Sequence, residues 1–141
     1  MRSSIKTLGI AALIGVITTG IACDIDRPIG QSGLVRLTRA QINYYMIALE
    51  RYRADVGDYP STAEGLEALH TAPGGQLSWK GPYLQKELEN DAWGRPYTYR
   101  YPGRHGDKPD IVSYGRDGVP GGSGLDEDIA SWALANDRPT L

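Results

Sequence analysis

Phenylalanine is absent from this 141-residue chain, and cysteine occurs only once, whereas tyrosine occurs nine times. Without Phe, a core has to be assembled from Leu, Ile, Val, Trp and Tyr, and each buried Tyr brings a hydroxyl that needs a partner or water at the edge. A lone Cys23 cannot form an internal disulfide. His70 and His105 are isolated from each other and from Cys23, so no zinc spacing is present and each is expected on the surface or in a loop. Blocks of Lys and Arg are missing too. The formal charge of −2 turns more negative once Arg2 and Lys6 leave with residues 1–22, which argues against nucleic acid as a partner. There is no Gly-x-Ser-x-Gly elbow, no phosphate loop and no His-Glu-x-x-His, so neither an enzyme nor a small-molecule substrate is indicated. A carboxylate pair from Asp117 and Asp126 would need an apolar cleft for acid/base work, and the wet glycine loop around them offers none. No repeat and no second domain are visible.

Long apolar runs are also lacking. Leu8 to Ala22 is the longest, short of the roughly 20 residues a spanning helix needs, and it carries Gly9, Gly15 and Gly20. With Arg2 and Lys6 ahead of it, residues 1–22 read as a cleaved export signal that delivers the chain to the periplasmic side of a bacterial membrane. Thr19-Gly20-Ile21-Ala22-Cys23 resembles a bacterial lipobox, in which the cysteine receives a lipid and becomes the first mature residue. Gly20-Ile21-Ala22 would also suit ordinary signal peptidase. Lipidation at Cys23, with a membrane held through that anchor, is therefore the expectation, and free secretion is its alternative.

Residues 23–33, polar and carrying Pro28, Gly30 and Gly33, read as a tether. A globular unit is expected over residues 34–135, followed by a polar tail at 136–141. From Leu34 the pattern is helical: Ile42, Tyr45, Leu49, Tyr52 and Val56 recur at steps of three and four, and Gly57 with Pro60 stops the helix. Ser61-Thr62-Ala63-Glu64 is a capping box that predicts a short helix ending near His70. Tyr83 and Leu84 return to the core. Pro96 to Tyr101, with three alternating tyrosines, predicts a strand that pairs in an antiparallel hairpin with a second at Ile111 to Tyr114.

After that strand comes SYGRDGVPGGSGLDEDI, a Gly/Pro-rich loop that excludes a helix or a central strand. Asp117 at its start and Asp126 and Asp128 at its end can converge if the glycines fold the backbone back. A hard cation such as Ca2+ takes about 6 to 8 oxygens, so three carboxylates with carbonyls of residues such as Tyr114 and Val119 would suit it. Acids that merely keep a glycine loop solvated are the plainer alternative.

This loop, together with ALERYRADVGDYPSTAEGLEAL, WKGPYLQK and DAWGRPYTYRYPGRHG in the same order, resembles the major pseudopilin of the type II secretion system. The likeness covers about Ile42 to Trp132. It implies an α+β, type IV pilin-like head, with an N-terminal helix on a small antiparallel sheet and a C-terminal calcium-binding loop. By position it carries the metal role to Asp117, Asp126 and Asp128, with Tyr114 and Val119 contributing carbonyls. Calcium is then the cofactor, and other pseudopilins or secretion-system proteins are the partners. The N-terminus departs from that family, in which a basic leader ends in Gly and is followed by a long apolar helix with Glu at its fifth position. A stand-alone lipid-anchored binding module that kept the fold is the alternative this departure leaves open.

Overall fold

The computed structural model describes residues 30–136. The export signal, Cys23 and the end of the tail lie outside the described residues.

Helix α1 spans Gln31–Val56, 26 residues, or about 39 Å at 1.5 Å per residue. It buries Ile42, Tyr45, Leu49 and Tyr52 along with Thr38 and Ala48, the stripe that the three-and-four spacing predicts. Gly57, at φ +99°, closes it in the left-handed region and donates its N–H to the Arg53 carbonyl. The helix starts earlier than expected, so Gln31 to Gly33 are not tether. The Gly30 carbonyl accepts from the amides of Gly33 and Leu34, at 2.7 and 3.2 Å, and thereby closes the first turn.

The capping box forms: the Ser61 amide donates to Glu64 Oε2 at 2.7 Å, and the Glu64 amide donates to Ser61 Oγ at 3.3 Å. Only a 3-10 turn, Leu66–Leu69, follows it. Gly65, at φ +63°, breaks the winding between cap and turn, yet Leu66, Ala68 and Leu69 still reach the core.

Three strands make one antiparallel sheet in the order β1 (Thr98–Arg100), β2 (Asp110–Ser113), β3 (Ile129–Ala130). Tyr99 stands opposite Ile111, and Ser113 opposite Ile129. β1 is shorter than the tyrosine alternation predicts because Thr62 Oγ1 takes the Tyr101 amide at 2.9 Å. β2 begins one residue early, at Asp110, and Tyr114 leaves the ladder as its carbonyl accepts from Gly118. β3 and the helix after it, α2 (Ser131–Asn136), were not foreseen as elements. With β1 on one side and β3 on the other, β2 is central, and all four of its residues are buried.

The core lies between α1 and the sheet, with Ile42, Leu49, Leu69, Leu84 and Ile111 almost completely enclosed. Burying each such side chain is worth about 1.5–3 kcal/mol. Tyrosines fill both the core and its edge, and hydroxyls among them are tied down as a Phe-free core requires. Tyr97 donates to Gln41 Oε1, Tyr99 to the Pro60 carbonyl and Tyr83 to Asp55 Oδ2. Tyr45 donates to the Glu89 carbonyl and accepts from the Glu89 amide. Burial pushes the Tyr97 and Tyr99 hydroxyls well above the usual phenol range, so they stay neutral donors.

Candidate functional site

The loop from Tyr114 to Asp128 is built on a polar base. Asp91 is buried at the turn before β1; its Oδ1 accepts the amides of Trp93 and Arg95, and its Oδ2 accepts the Ser113 hydroxyl at 2.6 Å. Arg95, set by that turn, donates from Nη1 to the Gly115 carbonyl at 3.0 Å and packs its side chain against Gly118. The first residues of the loop are thus fixed to the sheet and to the turn before it.

Two glycines let the arms of the loop meet. Gly115, at φ +60°, lies so close to the backbone of Leu125 to Glu127 that a Cβ would come within 2.9 Å of the Glu127 carbonyl oxygen. Gly122, at φ +81°, presses against the Asp126 carbonyl. The Arg116 amide donates to the Leu125 carbonyl at 3.1 Å, which joins the arms directly.

The predicted ligands fare differently within this frame. Asp117 Oδ1 accepts the Val119 amide at 3.2 Å, a local turn. Asp128 Oδ2 accepts the Gly121 amide at 3.0 Å, while its Oδ1 is buried with no hydrogen-bond partner. The Tyr114 carbonyl serves the turn to Gly118. Asp126 is engaged elsewhere: Arg116 grips it with both prongs, Nε to Oδ1 and Nη2 to Oδ2, each at 2.8 Å. That bidentate pair holds the Asp126 carboxyl below the usual carboxylate range and raises the guanidinium's own pKa.

Among the described residues, no three His, Cys, Asp or Glu side chains gather closely enough to hold a metal ion. The expected convergence of Asp117, Asp126 and Asp128 is therefore incomplete, because Arg116 draws Asp126 to itself. Asp128 keeps one acceptor unmatched. Its orphaned oxygen is a buried anionic acceptor without a donor, an arrangement that is costly unless a positive partner comes. Arg116 was missed by the sequence reading, and only its position beside Asp117 could have drawn notice.

Both histidines lie in loops as expected, and His105 is exposed. His105 is nevertheless engaged: its ring stacks on Trp132 at 3.6 Å between centroids, and its Nδ1 lies 3.0 Å from Asp110 Oδ2. His70 Nδ1 is buried without a partner. His105, Trp132, Glu50 and Ile47 line a groove of about 680 Å3 between α1, the β1–β2 loop and α2. Among the described residues, no helix is long and apolar enough to cross a membrane.

A long helix laid on a small antiparallel sheet, with a glycine loop closed at its C-terminal side, defines a pilin-like α+β head. A family model described as type II secretion system, protein G, matches residues 30–132, and the chain belongs to that family. Type II secretion system core protein G of Xanthomonas campestris pv. campestris is 36% identical over 129 residues, which cover 90% of this chain and 85% of the relative. Its counterpart in Pseudomonas aeruginosa is 34% identical over 132 residues, 91% of each. Overlaps this long reach into the residues before Gly30. The crystal structure of the major pseudopilin from the type 2 secretion system of enterohaemorrhagic Escherichia coli superimposes with a TM-score of 0.65 at 28% identity, covering 94% of this chain and all of that one. The expected α+β, pilin-like head and the family resemblance are both met. The chain is a pseudopilin-type structural component of a type II secretion system.

Proposed function

We propose that this chain is a non-enzymatic, calcium-stabilised pseudopilin whose head faces the periplasm and meets other pseudopilins or secretion-system proteins. The observation that carries the calcium reading is the buried, unpartnered Asp128 Oδ1 in a loop with too few bases for its acids. Asp117 and Asp128 would hold the ion, with Asp126 after release from Arg116 and with carbonyls of residues such as Tyr114 and Val119. Calcium supplies charge neutralisation to this loop, and a loop so pinned offers neighbouring subunits a fixed surface.

Asp117→Ala tests the reading by thermal melting. The variant melts below the parent in calcium and close to it in chelator; an equal loss in both conditions sinks the calcium role. Cys23 at the end of the apolar run favours a second feature, a lipid anchor. The overlap with relatives upstream of Gly30 favours instead a retained family N-terminus. The intact mass and N-terminal peptide of the mature protein decide between them: diacylglyceryl on Cys23 supports the anchored, stand-alone module, and a retained apolar N-terminus supports the fibre subunit.

A further inference from the structure

We propose that the loop tip at Leu77 of one copy of this chain docks into the groove between α1, the β1–β2 loop and α2 of a second copy. The inference rests on the subunit reading above and names the contact through which two heads meet.

Leu77 is 98% exposed, whereas the other large apolar side chains at the surface, such as Ile47 and Val119, are partly covered. The loop cannot fold over it, because its backbone is pinned. The Gln76 amide donates to the Pro73 carbonyl at 3.1 Å and the Trp79 amide to the Gln76 carbonyl at 3.3 Å. The Trp79 indole donates to the Ala68 carbonyl at 2.9 Å and meets the Tyr83 ring edge-on. Single exposed leucines are common on monomers; what sets this one apart is a receiving groove elsewhere on the same molecule. That groove, about 680 Å3, has Met46, Ile47, Pro109, Trp132 and Leu134 as its apolar lining. The His105 ring, stacked on Trp132, braces one wall.

Tip and groove lie on opposite sides of α1. Tyr52 faces the side of the tip, since its ring is 5.6 Å from Tyr83, which in turn is 5.6 Å from Trp79. At about 100° per residue, the groove's α1 residues Asn43, Met46, Ile47 and Glu50 lie roughly 120–180° around the helix from Tyr52. The tip therefore meets a groove only between copies. Such a contact is heterologous: each head gives a tip to one neighbour and takes one from another, and the row extends unless the rotation closes a ring.

Charge favours the same pairing. Residues 71–80 carry Lys80 and no acid. The groove is lined by the carboxylates of Glu50, Asp107 and Asp110 against Lys108 and His105. Lys108 is engaged with Glu50 at 2.6 Å, and His105 with Asp110 at 3.0 Å. Asp107 is exposed on the lip, so an incoming Lys80 three residues from the buried leucine meets a carboxylate. Opposite charges at the edge of an apolar contact fix its register.

The test places the photo-crosslinker benzoylphenylalanine at position 77 of the full chain in its own cells and maps the cross-linked peptides by mass spectrometry. A cross-link from position 77 to Met46, Ile47 or Trp132 of a second copy is expected. Cross-links to another face of a second copy overturn the docking while the subunit reading stands. Cross-links only to a different protein, or only within one copy, overturn it as well. In sedimentation of the purified full chain, Leu77→Ser and Ile47→Ser should each weaken self-association roughly tenfold or more, as expected for losing one buried apolar side chain. Both side chains are exposed in the single head, so the melting temperature should change little. Lys80→Glu or Asp107→Lys alone should weaken association roughly two- to fivefold, and the double variant should regain it. Equal association of the parent and Leu77→Ser, or a double variant weaker than either single one, overturns the proposal. If the parent neither self-associates nor cross-links to a second copy, the reading of this chain as a subunit that meets its own kind falls too.

Discussion

Leu49 sits in α1 with no exposed surface, in the same core as Leu66 and Leu69 of the 3-10 turn, Ile111 and Ile129 of the sheet, and Leu84. Asp126 sits in the glycine loop, held by an exposed guanidinium and by backbone contacts that only glycines permit. The first region is secured by apolar area, which is non-directional and has no group that titrates. The second is secured by charge, hydrogen bonds and chain conformation, each of which answers to solution conditions. The head is thus an insensitive platform carrying an adjustable loop, and it is the adjustable region that carries the candidate site.

The largest effects should come from the platform. Leu49→Ala is expected to cost about 2–5 kcal/mol in urea unfolding, because the site is enclosed on all sides and can collapse only in part. Asp91→Ala lies on the boundary between the regions. It strands the Ser113 hydroxyl and the Trp93 and Arg95 amides, at about 1–3 kcal/mol for each donor that water cannot reach. If its loss matches that of Leu49→Ala, the division between platform and loop is less sharp than drawn here.

Within the loop, Gly122→Ala and Gly121→Ala separate crowding from backbone strain. Both residues have positive φ, but a Cβ at Gly121 meets nothing, whereas one at Gly122 runs into the Asp126 carbonyl. The Gly121 change is expected to cost about 1 kcal/mol from the left-handed conformation alone. The Gly122 change should cost more and should also disturb the Arg116–Asp126 pair. Equal melting of the two variants would show that the arms do not meet as described.

The smallest effect belongs to Arg116–Asp126 in calcium-free buffer. Because the folded pKa of Asp126 is depressed, its contribution is complete above the ordinary carboxylate pKa of about 4 and is lost as pH falls through the lowered value. Melts of the parent and Asp126→Asn should therefore differ near neutrality and converge at low pH. A difference that persists in acid would assign the effect to packing.

The same division explains what the sequence made legible. The α1 face could be read because four turns of repetition specify one stripe, and the capping box because its partners are three residues apart. β3 could not be read, since two residues carry no alternation, and its pairing with Val112 and Ser113 is set by loop closure. The three acids were visible as residue types, but the grip of Arg116 on Asp126 spans ten positions and exists only because Gly115 and Gly122 bring the arms together. The stacking of His105 on Trp132 likewise joins a loop to a helix that share no local pattern.

That stack gives the molecule an optical indicator. Trp132 follows Asp128 by four residues through β3, so a change of state in the loop has a short and stiff path to the indole. An imidazole lying flat on an indole alters its emission, and a small shift of α2 changes the overlap of the rings. Tryptophan fluorescence should then report occupancy of the loop without a dye, with Trp79 and Trp93 supplying a background from sites outside the loop.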